Sequence, residues 1–152
     1  MNPPQLEFAA RLEVALAPIR EIGSGRAGQR RIIPIIGGTV SGPRLNGRIL
    51  NVGADCQTIF AGGMAELDTR YGMETDDGAV VEIINYGYRH GPKEVIAALA
   101  RGEEVAPDSY YMRTHARLET GDPRYDWVNK ALFLGTGKRE ADRVVVDLFE
   151  VR

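Results

Sequence analysis

The sequence predicts an all-β protein with one short helix, folded as a single antiparallel closed β-barrel over residues 1–152. Three observations predict this class. Apolar and polar residues alternate along most of the chain, which is the period of a half-buried strand. Short turn sequences separate these runs, and the 18 glycines suit such turns. A closed barrel is favoured over a sandwich because closure removes the unpaired edges of a strand-rich chain.

The first strand is predicted over residues 8–16, where apolar residues such as Phe8 and Leu12 alternate with polar neighbours until Pro18. Residues 21–31 are rich in Gly and Arg and have no period, so we interpret them as a mobile loop. Further strands are predicted at residues 31–40, 42–51, 57–60, 64–74, 79–89, 109–120, 127–136 and 143–151.

Turn and helix signals complete the outline. The Asp77-Gly78 pair lies between two alternating runs and is a strong hairpin signal. Pro92 stands near a first helical position and Gly102 marks a stop, with Ile96 and Leu99 at helical spacing between them. The sequence therefore predicts one short helix after the strand at residues 79–89.

Composition limits the function classes. A formal net charge of -2 and a pI near 5.7 provide no basic surface for nucleic acid, and no apolar run is long enough to span a membrane. The single Cys56 excludes an internal disulfide, and the N-terminus does not resemble a signal peptide, so we expect a cytoplasmic protein. The two histidines lack metal-site spacing, and residues 23–28 lack the context of a nucleotide loop. We expect neither a metal nor a cofactor.

The most informative stretch is residues 110–129, which reads YYMRTHARLETGDPRYDWVN. Side chains two residues apart on a strand share one face. If the runs before and after the Gly-Asp-Pro turn are neighbouring strands of a closed sheet, one face of each could line a pocket. The residues concerned are Arg113, His115, Arg117 and Glu119 in the first run, and Tyr125, Trp127 and Asn129 in the second.

Two interpretations of the first run stay open. Periodicity alone favours a row that faces solvent, because Met112, Ala116 and Leu118 would be buried on the opposite face. The second run argues for a lined cavity, since apolar residues such as Val128 and Phe133 occur on both of its faces. The charged row is thus either exposed or part of a pocket wall.

Two other polar residues have both a structural and a functional interpretation. Asn85 shares a face with Val81 and Ile83, and a buried amide has to be hydrogen-bonded by the fold or by a ligand. Asp55 follows a predicted bend at Gly53, where it either caps a turn or belongs to a site.

Six segments carry a family resemblance in their order and spacing: GGTVSGPRLNGRIL (37–50), GADCQT (53–58), AELDTRYGMETDDGAVV (65–81), INYGYR (84–89), residues 110–129 and VVVDLFEV (144–151). On these segments the chain resembles the domain of unknown function 3237 family, also called uncharacterised protein family 0311. The resemblance implies a small antiparallel barrel that is allene oxide cyclase-like or lipocalin-like in outline. It also implies recurrent polar positions at Asp55, Asn85, Arg113, Glu119, Trp127 and Asn129. Members typically have Trp where this chain has Cys56, whose smaller side chain would reshape a pocket.

The residue types favour a cofactor-free enzyme that performs general acid/base chemistry of isomerase, cyclase or lyase type. Its substrate would be a small, largely apolar, oxygenated molecule inside the barrel. Glu119 or Asp55 would be the acid or base, with a pKa raised by burial, and Arg113 would neutralise a substrate carboxylate or enolate. The predicted substrate contacts are Asn85, Trp127, Asn129, Tyr125 and Cys56.

Two alternatives to the enzyme hypothesis remain open. The same pocket would serve a non-catalytic small-molecule-binding barrel, or the polar side chains would be internal struts of a solid barrel. The expected partner is a small-molecule ligand. Apolar outer strands also make a homo-oligomer an expectation, although no subunit number is indicated.

Overall fold

The computed structural model describes all residues from 1 to 152, and its nine strands form one antiparallel sheet. One α-helix, α1 (Lys93–Ala100), and two 3₁₀ segments (Pro107–Ser109 and Pro123–Lys130) interrupt the strands. The predicted all-β class with one short helix is confirmed. The strands are β1 (Leu6–Leu16), β2 (Arg20–Ser24), β3 (Gln29–Ser41), β4 (Gly47–Ile59), β5 (Ala65–Thr75), β6 (Val80–His90), β7 (Tyr111–Glu119), β8 (Leu132–Arg139) and β9 (Arg143–Val151).

The sheet closes because β1 pairs with β9 on one side and with β3 on the other. From β3 to β9 each strand pairs with the next strand in sequence, so eight strands form the closed barrel. Strand β2 pairs only with β3 and lies outside the closure. The predicted closed antiparallel barrel is confirmed, and closure leaves β2 as the strand with a free edge.

A glycine bulge bends β4 in the middle. The pairing of β4 with β5 shifts register between Ile49 and Gly53, and Gly53 has a φ of +92°. A Cβ atom at this position would lie 2.0 Å from the carbonyl oxygen of Arg70, so no other residue fits without moving the backbone. After the bend, Asp55 and Gln57 point into the barrel.

Three predicted segments are wrong in detail. Residues 21–31 are not a loop, because most of them form β2 and the start of β3, whose backbones pair as a hairpin. The strands predicted at 42–51 and 57–60 belong to one continuous strand, β4. The strand predicted at 127–136 begins only at Leu132, because Pro123 starts a 3₁₀ segment that Asp122 caps by accepting a hydrogen bond from the Arg124 N–H at 3.0 Å.

The buried apolar side chains form two clusters, one towards each end of the barrel. Towards the 3₁₀ segment at residues 123–130, which we call the 3₁₀ end, the interior is filled by apolar side chains that include Val128 and Phe133. At the other end, the α1 end, Leu99 of α1 packs into a smaller cluster with Leu67 and Met112. The single α-helix is far shorter than a segment that crosses a bilayer.

Candidate functional site

A cavity of about 40 Å³ lies inside the barrel at the α1 end and is partly open to solvent. This volume accommodates a few water molecules or one small polar group. Hydrophobic side chains provide 9 of its 16 lining residues. The polar ones are Asp55, Gln57, Thr69, Asn85, Arg89, Thr114 and Arg139.

Strand alternation delivers these side chains. Along β6 the inward row begins with the buried Val81 and Ile83 and then changes to the buried polar residues Asn85 and Arg89. On the neighbouring β7, Thr114 occupies the inward row. Polar side chains therefore enter the lining from both strands, although on β7 Thr114 stands between the apolar Ala116 and Met112.

Three buried atoms in this lining have no hydrogen-bond partner: Asn85 Oδ1, Arg89 Nε and Thr114 Oγ1. They are the only unpartnered buried side-chain nitrogen or oxygen atoms of the protein, and all three residues line the same cavity. Leaving such an atom unpaired in a protein interior costs about 1–3 kcal/mol. The cavity wall therefore contains three buried polar atoms that are free to form hydrogen bonds.

Asp55 is the carboxylate of the cavity. Its Oδ2 accepts a hydrogen bond from Gln57 Nε2 at 2.5 Å, and its Oδ1 accepts one from the Asp68 N–H at 3.1 Å. Gln57 Oε1 in turn accepts a hydrogen bond from Arg31 Nε at 2.8 Å. Burial raises the pKa of Asp55, although its hydrogen bonds and the charge of Arg89 oppose the rise. A carboxyl group with a raised pKa accepts a proton more readily than an ordinary carboxylate does.

The charge of Asp55 acts on three guanidinium groups, those of Arg31, Arg89 and Arg139. Arg89 is only 8% exposed, and burial, with the charges of Arg31 and Arg139, lowers its pKa to about 10. At neutral pH Arg89 is still protonated. Burial also lowers the pKa of Arg139, which lines the cavity. The site thus contains more positive than negative charge.

Arg113 and Glu119 do not reach the cavity, which corrects the pocket-wall interpretation. The residues at odd positions of β7 are exposed, whereas those at even positions are buried, so the charged row faces solvent. Arg113 Nη1 donates a hydrogen bond to the carbonyl oxygen of Met112 at 2.9 Å, and its guanidinium lies 5.5 Å from the centre of the Tyr111 ring. Neither side chain is placed for catalysis inside the barrel.

Tyr125, Trp127 and Asn129 lie in the 3₁₀ segment, at the opposite end of the barrel from the cavity. The guanidinium of Arg44 lies 3.6 Å from the centre of the Trp127 ring. Asn129 accepts a hydrogen bond from the Thr120 N–H and donates one to its carbonyl oxygen, both at 2.9 Å. The predicted substrate contacts are therefore wrong for these three residues, which close the 3₁₀ end.

Cys56 is the remaining predicted contact, and it too is misplaced. It lies between the inward-facing Asp55 and Gln57, so its half-buried side chain points to the outer face of β4. Burial raises the pKa of its thiol. The residue borders a depression on the outside of the barrel with Val52 and Arg70 and does not shape the interior.

The structure brings Asp55 and Asn85 together, and it adds residues that the sequence interpretation missed. Parity could have identified Gln57, two residues from Asp55, and Arg89, four residues from Asn85. Thr114 lies on the adjacent strand opposite Gly87, which shares the inward face of β6 with Asn85. No three His, Cys, Asp or Glu side chains come together as a metal site requires.

Comparisons with known proteins find one family over nearly the whole chain. The profile of the family described as "Protein of unknown function (DUF3237)" matches residues 4–151. A UPF0311 protein of Rhodopseudomonas palustris is 44% identical over 150 residues, which cover 97% of this chain and 98% of the relative. The crystal structure of a conserved protein of unknown function from the same organism matches with a TM-score of 0.94 and 42% identity, covering 100% of both chains.

Two further solved structures share the fold. A β-barrel-like protein from Acinetobacter baumannii matches with a TM-score of 0.88 and 44% identity, covering 100% of this chain and 98% of its own. A structure described as an enzyme from Penicillium herquei matches with a TM-score of 0.76 over 100% of this chain and 97% of its own. Its identity is 19%, so it shows the fold alone. The chain belongs to the DUF3237 family, whose curated members are named UPF0311 proteins and whose solved structures are small β-barrels.

Proposed function

We propose that the protein is a cofactor-free enzyme that performs general acid/base chemistry, of the isomerase, cyclase or lyase type, on a small oxygenated molecule at the α1 end of the barrel. Asp55 would transfer the proton. The observation that carries the proposal is one buried carboxyl group, with a raised pKa, beside the three unpartnered polar atoms of Asn85, Arg89 and Thr114. Polar groups that share a cavity and lack partners are more typical of a binding site than of a packed core.

In the proposed reaction, the Asp55 carboxylate removes a proton from a carbon next to a substrate carbonyl. The carboxyl group becomes neutral, and the negative charge moves to the substrate oxygen as an enolate. Arg89 stabilises that charge from a buried position, where its electrostatic effect is stronger than in water. Asp55 then returns the proton to another carbon, which completes an isomerisation with atoms and charge balanced.

The cavity limits which part of the substrate enters. Its volume of about 40 Å³ fits only the reacting polar group, so the apolar body has to lie towards the mouth. Leu16 and Val144 line the cavity and are half-buried, which places apolar surface where the interior meets solvent. The proposed substrate is therefore polar at one end and apolar at the other.

One observation favours the alternative of a binding protein without chemistry. Both oxygens of Asp55 already accept hydrogen bonds, from Gln57 and from the Asp68 backbone. In that case Asp55 would hold the wall of a pocket. Each carboxylate oxygen has a second lone pair, however, so these bonds leave accepting capacity for a substrate proton.

The test uses an assay that does not require the natural substrate. A panel of small carbonyl compounds is incubated with the protein in D₂O, and proton NMR records deuterium entering the position next to the carbonyl. We expect Asp55→Asn to slow the exchange by about 10²–10⁴-fold. Glu119→Gln, which changes an exposed carboxylate on β7, is the matched control and should exchange at the wild-type rate.

Binding of a panel compound with no exchange above the buffer rate would favour the binding protein. Equal exchange rates for the wild type and Asp55→Asn would overturn the role of Asp55.

A further inference from the structure

We propose that the ligand of the cavity is a small carboxylic acid with a hydroxyl or enol group next to the carboxylate, and that Arg89 and Arg139 bind the carboxylate. This inference rests on the proposed function and names its substrate class, a 2-oxo acid. When Asp55 removes a proton from C3, the enolate forms next to the carboxylate, and a 2-hydroxy acid is an unreactive analogue with its O–H at the same position. It narrows the small, largely apolar, oxygenated molecule that the sequence suggested to a carboxylic acid, and it gives the carboxylate-binding role to Arg89 and Arg139 in place of Arg113.

Arg89 provides the first argument. The residue lines the cavity, is 8% exposed, and its Nε has no partner. A guanidinium presents its donors in a planar fork that matches the two oxygens of a carboxylate. A buried guanidinium with an unused donor, directed at a cavity, is the arrangement that such an anion would complete.

The charge balance provides the second argument. Arg31 and Arg139 form hydrogen bonds with uncharged oxygens, namely Gln57 Oε1 at 2.8 Å and the carbonyl oxygens of Ala141 and Arg143 at 3.3 Å. Within the lining itself, Arg89 and Arg139 face one carboxylate, Asp55, while Glu21 and Asp142 act on Arg31 and Arg139 from outside it. Mutual repulsion contributes to the lowered pKa of Arg89, as expected for cations held together without enough counter-charge. An anionic ligand would relieve this repulsion.

Asn85 and Thr114 indicate which group the ligand carries next to its carboxylate. The unpartnered Oδ1 of Asn85 accepts hydrogen bonds and cannot donate one, so a carboxylate alone would not satisfy it. A hydroxyl or enol O–H provides the donor, and its oxygen can in turn accept a hydrogen bond from the Thr114 hydroxyl. Asn85 and Thr114 are diagonal neighbours on adjacent strands, because Thr114 is opposite Gly87, two residues after Asn85.

A carboxylate fits better than a phosphate. Most of the lining residues are hydrophobic, and the cavity is small, with a volume of about 40 Å³. A phosphate carries more charge than a carboxylate, so it would lose more hydration on entering such a lining. Inorganic phosphate therefore serves as the contrasting probe.

The experiment compares 2-hydroxy-3-methylbutanoate with its amide, with 3-methylbutanoate and with inorganic phosphate. Binding is followed by calorimetry and by the Nε–H signal of Arg89 in nitrogen-15 NMR spectra. We expect the hydroxy acid to bind most tightly and to shift the Arg89 signal. Arg89→Gln should weaken its binding at least about tenfold, because a hydrogen bond to a charged group is lost. Arg113→Gln, on the exposed face of β7, is the matched control and should leave the affinity unchanged.

Equal affinity for acid and amide would overturn the inference, as would phosphate binding in preference to the acids. Equal affinity for 3-methylbutanoate would overturn the role given to Asn85 and Thr114. The NMR signal is measured on the wild type, so the test does not depend on Arg89→Gln folding. If acids bind at Arg89 but no deuterium exchange occurs, the acid ligand is supported and the proposed enzymatic reaction is wrong. If exchange occurs with no preference for acids, the enzymatic reaction is supported and the acid ligand is wrong.

Discussion

Replacing Gly53 with Ala tests the bulge that directs Asp55 into the barrel. Gly53 and Gly78 have nearly the same φ, +92° and +94°, so both substitutions carry a similar backbone strain of about 1–3 kcal/mol. Only Gly53 also has a steric conflict. Its added Cβ would lie 2.0 Å from the Arg70 carbonyl oxygen and 2.9 Å from Tyr71 Cα, whereas nothing lies within 4 Å at Gly78.

The steric part can be sized from the geometry. β4 and β5 would have to separate by about 1 Å at this point before the contact reached even 3.0 Å. Such a shift breaks one or two backbone hydrogen bonds, each worth about 1 kcal/mol. We therefore expect Gly53→Ala to lower the free energy of unfolding by about 2 kcal/mol more than Gly78→Ala does.

Urea denaturation of the two variants and the wild type measures this difference. If both variants lose the same free energy within about 0.5 kcal/mol, the close approach of β4 to β5 does not require glycine, and the reasoning fails. Gly53→Ala should also weaken ligand binding in the cavity, since it moves Asp55, while Gly78→Ala lies in the β5–β6 turn and should not.

Three further predictions concern single side chains. Thr114→Val removes an unpartnered buried hydroxyl at nearly constant volume, so it should raise the free energy of unfolding by about 1 kcal/mol; a loss of that size would show that the hydroxyl is already satisfied. The folded-state pKa of Asp55 lies above its ordinary value of 3.8, so the folded protein holds this proton more tightly and loses stability as pH rises from about 3.8 through the raised pKa. The stability gained by Asp55→Asn should therefore grow over that interval towards neutral pH, and a gain independent of pH would contradict the assignment. Asn129→Ala removes two hydrogen bonds to Thr120 and should cost about 1–3 kcal/mol in chemical denaturation while leaving binding at the α1 end unchanged; altered affinity would argue against the separation of the two ends.

The alternation of apolar and polar residues was sufficient to predict the barrel. Along β7 every second side chain is buried, and the same period runs through β6. Both patterns are local and follow directly from strand geometry. The Gly- and Arg-rich sequence 21–31 has no apolar face that would predict the hairpin β2–β3, whose strands are joined by backbone pairing and by a hydrogen bond from Gln29 Nε2 to Ser24 Oγ at 3.1 Å.

The candidate site was harder to predict because parity shows which residues share a face but not where that face points. Arg113 and Glu119 do share a face, yet it is the outer one. Trp127 was assigned to a strand face, but the Asp122 cap and Pro123 place it in a 3₁₀ segment. Arg89 was overlooked because a charged residue at the end of a strand is usually solvated, and only the closed barrel turns it inward.

The packed 3₁₀ end and the cavity lie at opposite ends of the barrel. Residues that line the cavity can therefore change in sequence without disturbing the contacts at the 3₁₀ end. The stacking of Arg44 on Trp127 and the ion pair of Arg44 with Glu150 at 2.9 Å hold one mouth of the barrel without touching the lining of the other. Substitutions at the α1 end that allow new compounds to bind therefore leave the contacts of Arg44 with Trp127 and Glu150 intact. Relatives with the same scaffold can diverge in what they accept, and a directed-evolution library confined to the lining of the α1 end should retain a high fraction of folded variants.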